Sequence, residues 1–137
     1  MDATTVILDT SILIDFFDFF RKRDKSKFVL LQLTDKHHFS MSVITAFEVR
    51  IGIQTPTQQN DYDILTKNIE ILPVDYACIE EASALYKALK QKNALIELAD
   101  LLIGATALSN SLPLATLNRK HFERISNLTL MDLPQLQ

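Results

Sequence analysis

Three acidic residues lie in stretches that ordinarily exclude charge. Asp9 ends the apolar run VILD and is followed at once by a second one in TSILIDFF, so that residues 6 to 17 read VILDTSILIDFF. Glu48 lies in VITAFEVRIGI and Asp100 in IELADLLIGATA. Residues three and four apart on a helix are neighbours. Glu48 then has Ile44, Ile51 and Gly52 around it, and Asp100 has Ile96, Ile103 and Gly104. The two settings match, and they use both glycines of the chain. Mid-helix Gly costs roughly 1 kcal/mol relative to Ala, so a packing reason, such as close approach of another backbone, is expected beside each. Carboxylates enclosed in this way must be paired, protonated or bound to something.

Each acid also has an ordinary explanation. Asp9 could cap the helix that follows, with Thr10 or Ser11 as rival caps. Glu48 could pair with Arg50, and Asp100 could sit in a first turn and favour the helix dipole. Three such residues together point to one shared acidic site. Arg50 is the only basic residue within three positions of any of them. Two carboxylates about 5 Å apart repel by roughly 3 kcal/mol at an effective dielectric of about 20, a cost that a divalent cation removes. All-oxygen ligands favour Mg²⁺ or Mn²⁺ over zinc, and such an ion suits phosphate chemistry.

The surrounding pattern supplies the elements that position these residues. TTVIL predicts a buried first strand, Ile12 to Phe20 a helix, Lys27 to Lys36 another, and HFSMS a second strand. Val43 to Gln54 and Thr57 to Asn68 are expected to be helices, the latter starting after Pro56. IEILPV is the third strand. Asp75 then suits the N-cap of a long helix with apolar positions Ile79, Ala82, Leu85, Tyr86 and Leu89. Leu98 to Ser109 is an apolar helix, LPLATL a fourth strand, Arg119 to Arg124 a helical turn, and LTLMDL a fifth strand. Strands alternating with helices indicate an α/β sandwich around a mainly parallel sheet. Sites in such folds form beyond the carboxyl ends of the strands, where Asp9 is expected.

Bulk properties agree with this frame. The chain has 137 residues, 47% hydrophobic and 23% charged, which predicts one compact domain over residues 1–137. Its single cysteine, Cys78, has no metal-ligand spacing around it, so a reducing cytoplasm is expected. No apolar run approaches the ~20 residues that span a bilayer. The net charge of -3 excludes a general electrostatic attraction for nucleic acid. Local patches differ: RKRDKSK at 21 to 27 holds Arg21, Lys22 and Arg23, and LNRKHFER at 117 to 124 holds Arg119 and Lys120. Either patch could contact phosphates, or be a solvated helix face.

LDTSILID, SVITAFEVRIGI, ADLLIGATAL and LATLNRKHFERISNLTLMDL together resemble the motifs of PIN-domain proteins, in order and across nearly the whole chain, and within that family those of the VapC-type toxins. The resemblance implies a three-layer α/β/α sandwich with a sheet of about five strands. It also implies Mg²⁺- or Mn²⁺-dependent cleavage of RNA, a homodimer, and inhibition by a small antitoxin. Asp9, Glu48 and Asp100 fall on the family's acidic metal-site positions. Thr10, Ser11, Thr116 and Asn118 fall on its polar positions, where they are expected to orient waters or phosphate oxygens. The departure is His121, where many relatives carry a fourth acid; it could be a metal-proximal group, a phosphate contact or an ordinary surface histidine. Glu97, three residues before Asp100, is the expected substitute. The alternative is a PIN scaffold with a degraded site, kept for binding RNA or protein. A receiver domain would need an extra acidic pair near the first strand and a positioned lysine. A phosphatase with an aspartate nucleophile would need a second Asp where Ser11 stands. Neither pattern is present.

Overall fold

The computed structural model describes residues 4–17, 30, 33 and 36–133. Four strands form one parallel sheet: β1 (Thr4–Leu8), β2 (His37–Ser42), β3 (Ile69–Leu72) and β4 (Leu114–Ala115), in the order β3-β2-β1-β4. Register is set with Val6 opposite Phe39, Ile7 opposite Leu114, and Phe39 opposite Ile69. Chain order runs outward from β1 to β2 and β3 on one side, then returns to place β4 on the other. The gap between the carboxyl ends of β1 and β4 is therefore the switch point where α/β folds bind ligands.

Six helices surround the sheet among the described elements: α1 (Thr10–Phe17), α2 (Val43–Ile51), α3 (Pro56–Thr66), α4 (Tyr76–Gln91), α5 (Leu98–Ser109) and α6 (Arg119–Phe122). Strand alternation sends side chains to two cores. Val6, Leu8, Met41 and Ala115 pack with Ile12, Leu13, Ala46, Val49 and Tyr62 of α1, α2 and α3. Ile7, Leu72 and Leu114 pack on the other face with Ala82, Leu85, Leu101, Ile103 and Phe122 of α4, α5 and α6. Leu30 and Leu33, both helical and buried, join the first core. Sheet faces covered on both sides account for the continuous apolar run of β1. This is the expected α/β/α sandwich.

Local caps explain most boundaries. Ser42 ends β2 and caps α2 directly, accepting the Ile44 N–H at 3.1 Å. Gly52 stops α2, three residues short of the expected end at Gln54. Thr55 and Gln58 form a reciprocal capping box around Pro56 at the start of α3, the arrangement that satisfies two orphan donors. Asp75 caps α4 by accepting the Cys78 N–H at 2.9 Å, as expected. Among the described residues no helix is long and apolar enough to cross a membrane.

Three expectations need correction. The fifth strand is only a single bridge, Leu114 with Leu130, made by Leu114 N–H to Thr129 O and Met131 N–H to Leu114 O. The cause is that β4 is two residues long: at Thr116 the chain leaves the sheet to bond Asp9. In α4 the buried face is Cys78, Ala82, Leu85 and Leu89, while Ile79 and Tyr86 are exposed at 41% and 44%. The expected packing reason is a side chain at Gly104 and is missing at Gly52. Gly52 ends its helix in the open, and Gly104 faces the Ile125 side chain. The stretch 18–29, with Arg21, Lys22 and Arg23, lies outside the described residues, as does most of 27–36.

Candidate active site

Asp9 follows the last residue of β1 and precedes the first of α1. Its backbone is fixed by its own N–H to Ala115 O at 2.9 Å and by Ile12 N–H to its carbonyl at 3.1 Å. The residue is 2% exposed. One oxygen, Oδ2, accepts the Ser11 hydroxyl at 2.7 Å and the Thr116 hydroxyl at 2.7 Å. The capping bond from Ser11 N–H is long, at 3.4 Å, so capping is the lesser of its contacts. Both hydroxyls are themselves held: Ser11 Oγ accepts Leu117 N–H and Thr116 Oγ1 accepts Asn118 N–H, each at 2.9 Å. Ser11 and Thr116 therefore act on Asp9 rather than standing ready for waters or phosphate.

Glu48 projects from α2 toward α1. The Thr10 hydroxyl donates to its Oε1 at 2.7 Å, and Thr45 Oγ1 lies 3.2 Å from the same hydroxyl. Arg50 is not its partner; the guanidinium instead lies 5.6 Å from the Tyr62 ring centroid. Thr45, fully buried one turn before Glu48, is a site residue that sequence reasoning missed. Its only sequence signal is the three-residue spacing to Glu48.

Asp100 is in the first turn of α5, and its Oδ2 lies 2.9 Å from His121 Nδ1 of α6. Burial raises the Asp100 pKa above the ordinary 3.8, the His121 hydrogen bond opposes this, and the Asp9 charge raises it further, with a smaller push from Glu97. Asp9 and Asp100 thus share one electrostatic neighbourhood across the switch point. Glu97 is the N-cap residue of α5, exposed and with no capping bond from its side chain. It contributes charge at the margin. His121, half exposed at 46% of its side chain, is the group in contact. Asn118 enters through its backbone. Arg119 is tied to Met131 O at 3.0 Å and Glu123 at 3.8 Å, while Lys120 is exposed.

Among the described residues no group of three or more His, Cys, Asp or Glu side chains is disposed to hold a metal ion as it stands. The donor chemistry nevertheless fits a hard divalent cation. Asp9 and Asp100 are like charges in a partly buried place, and a hard ion needs only one or two carboxylates, keeping waters for the rest. Like charges so placed are what a cation stabilises.

Comparison with known proteins shows what the chain is similar to. Residues 6–128 match the PIN domain family. The chain is 35% identical over 129 residues to Ribonuclease VapC1 of Methanocaldococcus jannaschii, covering 94% of this chain and 87% of that one. It is 30% identical over 129 residues to Ribonuclease VapC2 of Rickettsia felis, covering 90% and 94%. In structure it is similar to VapBC2 of Rickettsia felis bound to a promoter DNA fragment, with TM-score 0.79, 27% identity and coverage of 96% and 100%. It is likewise similar to VapBC-1 of nontypeable Haemophilus influenzae, with TM-score 0.79, 26% identity and coverage of 94% and 98%. The match over residues 6–128 and the likeness to these relatives place the chain in the PIN domain family, among proteins of the VapC type.

Proposed function

We propose that the chain is an Mg²⁺- or Mn²⁺-dependent endoribonuclease that hydrolyses RNA phosphodiester bonds as the toxin of a toxin–antitoxin module. The observation that carries this reading is Asp9 at the switch point with Oδ2 held by the Ser11 and Thr116 hydroxyls, and Asp100 beside His121 with its pKa raised by burial and by the Asp9 charge. Asp9 and Asp100 would hold the cation, with Glu48 and Glu97 at its border. When bound, such an ion supplies water activation and neutralises charge developing on the phosphate. Thr10 orients Glu48 through Oε1, which leaves Oε2 to take a proton from an attacking water. Ser11 and Thr116 hold the Asp9 carboxylate in place by donating to Oδ2. Lys120, exposed on α6, would contact the RNA backbone, which positions without reading sequence.

The partners follow from the same reading. Relatives named as ribonucleases and relatives seen in VapBC complexes support RNA as substrate and a separate antitoxin chain as inhibitor. A homodimer acting in the cytoplasm completes the proposal. The test is cleavage of a fluorescent RNA with Mn²⁺, alongside Mn²⁺ titration of the protein alone. Wild type is expected to cleave and to bind Mn²⁺, whereas Asp9→Asn and Asp100→Asn should fold, bind poorly and not cleave. Retained cleavage in both variants would overturn the proposal. A wild type that binds no Mn²⁺ and does not cleave would make the chain a PIN scaffold kept for binding.

A further inference from the structure

We infer that His121 is the positioning residue of the cation site, fixing Asp100 in the way that Ser11 and Thr116 fix Asp9. This rests on the metal-dependent reading above and adds a role for a residue outside the acidic set. A carboxylate that is to hold a cation must present one oxygen while the other is kept from turning. Asp9 meets that condition through two hydroxyls on Oδ2. No hydroxyl among the described residues bonds Asp100. Among the described residues its only side-chain hydrogen bond is to His121 Nδ1, at 2.9 Å and again on Oδ2. The two acids are therefore handled alike, each with Oδ2 engaged and Oδ1 left without a hydrogen bond to the described protein.

The fold delivers the imidazole to this place. His121 N–H bonds to Asn118 O at 3.2 Å, which closes the turn of α6. The next residue, Phe122, is fully buried and anchors that turn in the core. It comes to rest against α5 at Gly104, where an added Cβ would lie 3.9 Å from the Phe122 ring and 2.7 Å from Ile125 Cδ1. Gly104 is one turn after Asp100, so the glycine that admits Phe122 and Ile125 also sets His121 beside Asp100. Glu97 lacks such anchoring, being an exposed N-cap residue. His121 Nδ1 is already engaged with Asp100 Oδ2, so the imidazole acts through Asp100.

The experiment is Mn²⁺ titration of the full chain, followed by electron paramagnetic resonance of the free ion. Wild type is compared with His121→Ala, His121→Asn and His121→Gln, and the metal-free melting temperature of each reports folding. Asn places an amide N–H near the position of Nδ1, whereas Gln carries its amide one bond farther. His121→Ala should bind Mn²⁺ about tenfold more weakly, the lower end of the loss seen when an outer partner of a metal ligand is removed. His121→Asn should recover most of the affinity and His121→Gln little. In cleavage assays His121→Ala should need more Mn²⁺ yet regain most of kcat at saturation. An Mn²⁺ affinity within twofold of wild type in His121→Ala would overturn the inference, as would equal weakness in Asn and Gln variants. If His121→Ala does not fold, the Asn-to-Gln ratio decides. A wild type that binds and cleaves normally beside an unaltered His121→Ala sinks only this inference. A wild type that neither binds nor cleaves sinks the nuclease reading as well.

Discussion

The Asp9 and Asp100 corners of the site carry the same functional group but are built on different terms. Asp9 is 2% exposed, and its carboxylate is locked by two hydroxyls that are themselves locked by backbone N–H groups. Asp100 has a side chain 15% exposed and, among the described residues, one side-chain hydrogen bond, with a half-exposed imidazole. Folding alone completes the first corner. The second is held more loosely, with a raised pKa that records what burial and Asp9 cost its charge. The site thus combines a rigid half with a destabilised one, and destabilised groups at fixed positions are where a protein concentrates function.

The largest effect separates the corners by sign. Asp9→Asn and Asp100→Asn should both lose RNA cleavage by on the order of 10³-fold, the scale of losing a metal ion worth several kcal/mol. Their stabilities should part. Asp9→Asn replaces charge-assisted hydrogen bonds by neutral ones and is expected to lose about 1 kcal/mol. Asp100→Asn removes a charge that the metal-free fold disfavours and should melt at or above wild type at neutral pH. Parallel losses in both variants would show that the corners do not differ.

Next in size are the hydroxyls. Thr116→Val strips one donor from Asp9 Oδ2 and the acceptor from Asn118 N–H. Leaving those buried groups unmet should cost about 1–3 kcal/mol. A tenfold to hundredfold fall in cleavage should follow, as expected for partners that orient a metal ligand. Thr10→Val, which releases Glu48 Oε1 at the rim, should cost less in both measures. A Thr10 effect as large as that of Thr116 would move the rigid half from Asp9 to Glu48.

How much of this could be read from the chain follows the range of each interaction. Strand β1, the limits of α5 and the cap at Asp75 come from local pattern, and local pattern decided them. Three acids in apolar surroundings were legible for the same reason. The bonds that make them a site were not. Ser11 and Thr116 meet across 105 residues and His121 reaches Asp100 across 21. Spacing along the chain carries no such information. Thr45 looked like any small helical residue until Thr10 faced it. The fifth strand failed because LTLMDL has a strand-like pattern, yet a strand exists only as long as its neighbour, and β4 ends at Ala115.

The pH dependence of stability offers a smaller contrast. Because Asp100 titrates above 3.8 in the fold, the unfolded chain releases this proton first as pH rises. Its stabilising share is complete below 3.8 and is lost as pH climbs through the raised value. The stability of wild type relative to Asp100→Asn should therefore fall as pH is raised from about 3 toward 7, measured by denaturant midpoints without divalent metal. Saturating Mn²⁺ should reverse the trend, since an ion that binds only the folded state stabilises it by mass action. A difference independent of pH would mean that Asp100 sits as comfortably as any surface acid.

The smallest effects come from the two glycines, each four residues after a site acid and alike in sequence. Gly104 lies where a Cβ would meet Ile125 Cδ1 at 2.7 Å, with Leu128 and Phe122 side chains at 3.9 Å. Ile125 is only 2% exposed, so it has little room to yield. Overpacking of about 1–3 kcal/mol outweighs the helix gain of roughly 1 kcal/mol, and Gly104→Ala should lose about 1 kcal/mol. Gly52 has a right-handed φ of -85 and nothing nearer to its added Cβ than Val49 O at 3.4 Å. Gly52→Ala should gain about 0.5 kcal/mol by narrowing the unfolded ensemble. Thermal melts of the two variants read the sign directly. Opposite signs confirm that the turn bearing His121 is pressed against the Asp100 helix, while the end of the Glu48 helix is free. A neutral Gly104→Ala would mean that α6 can back away from α5, and the looser corner would be looser still.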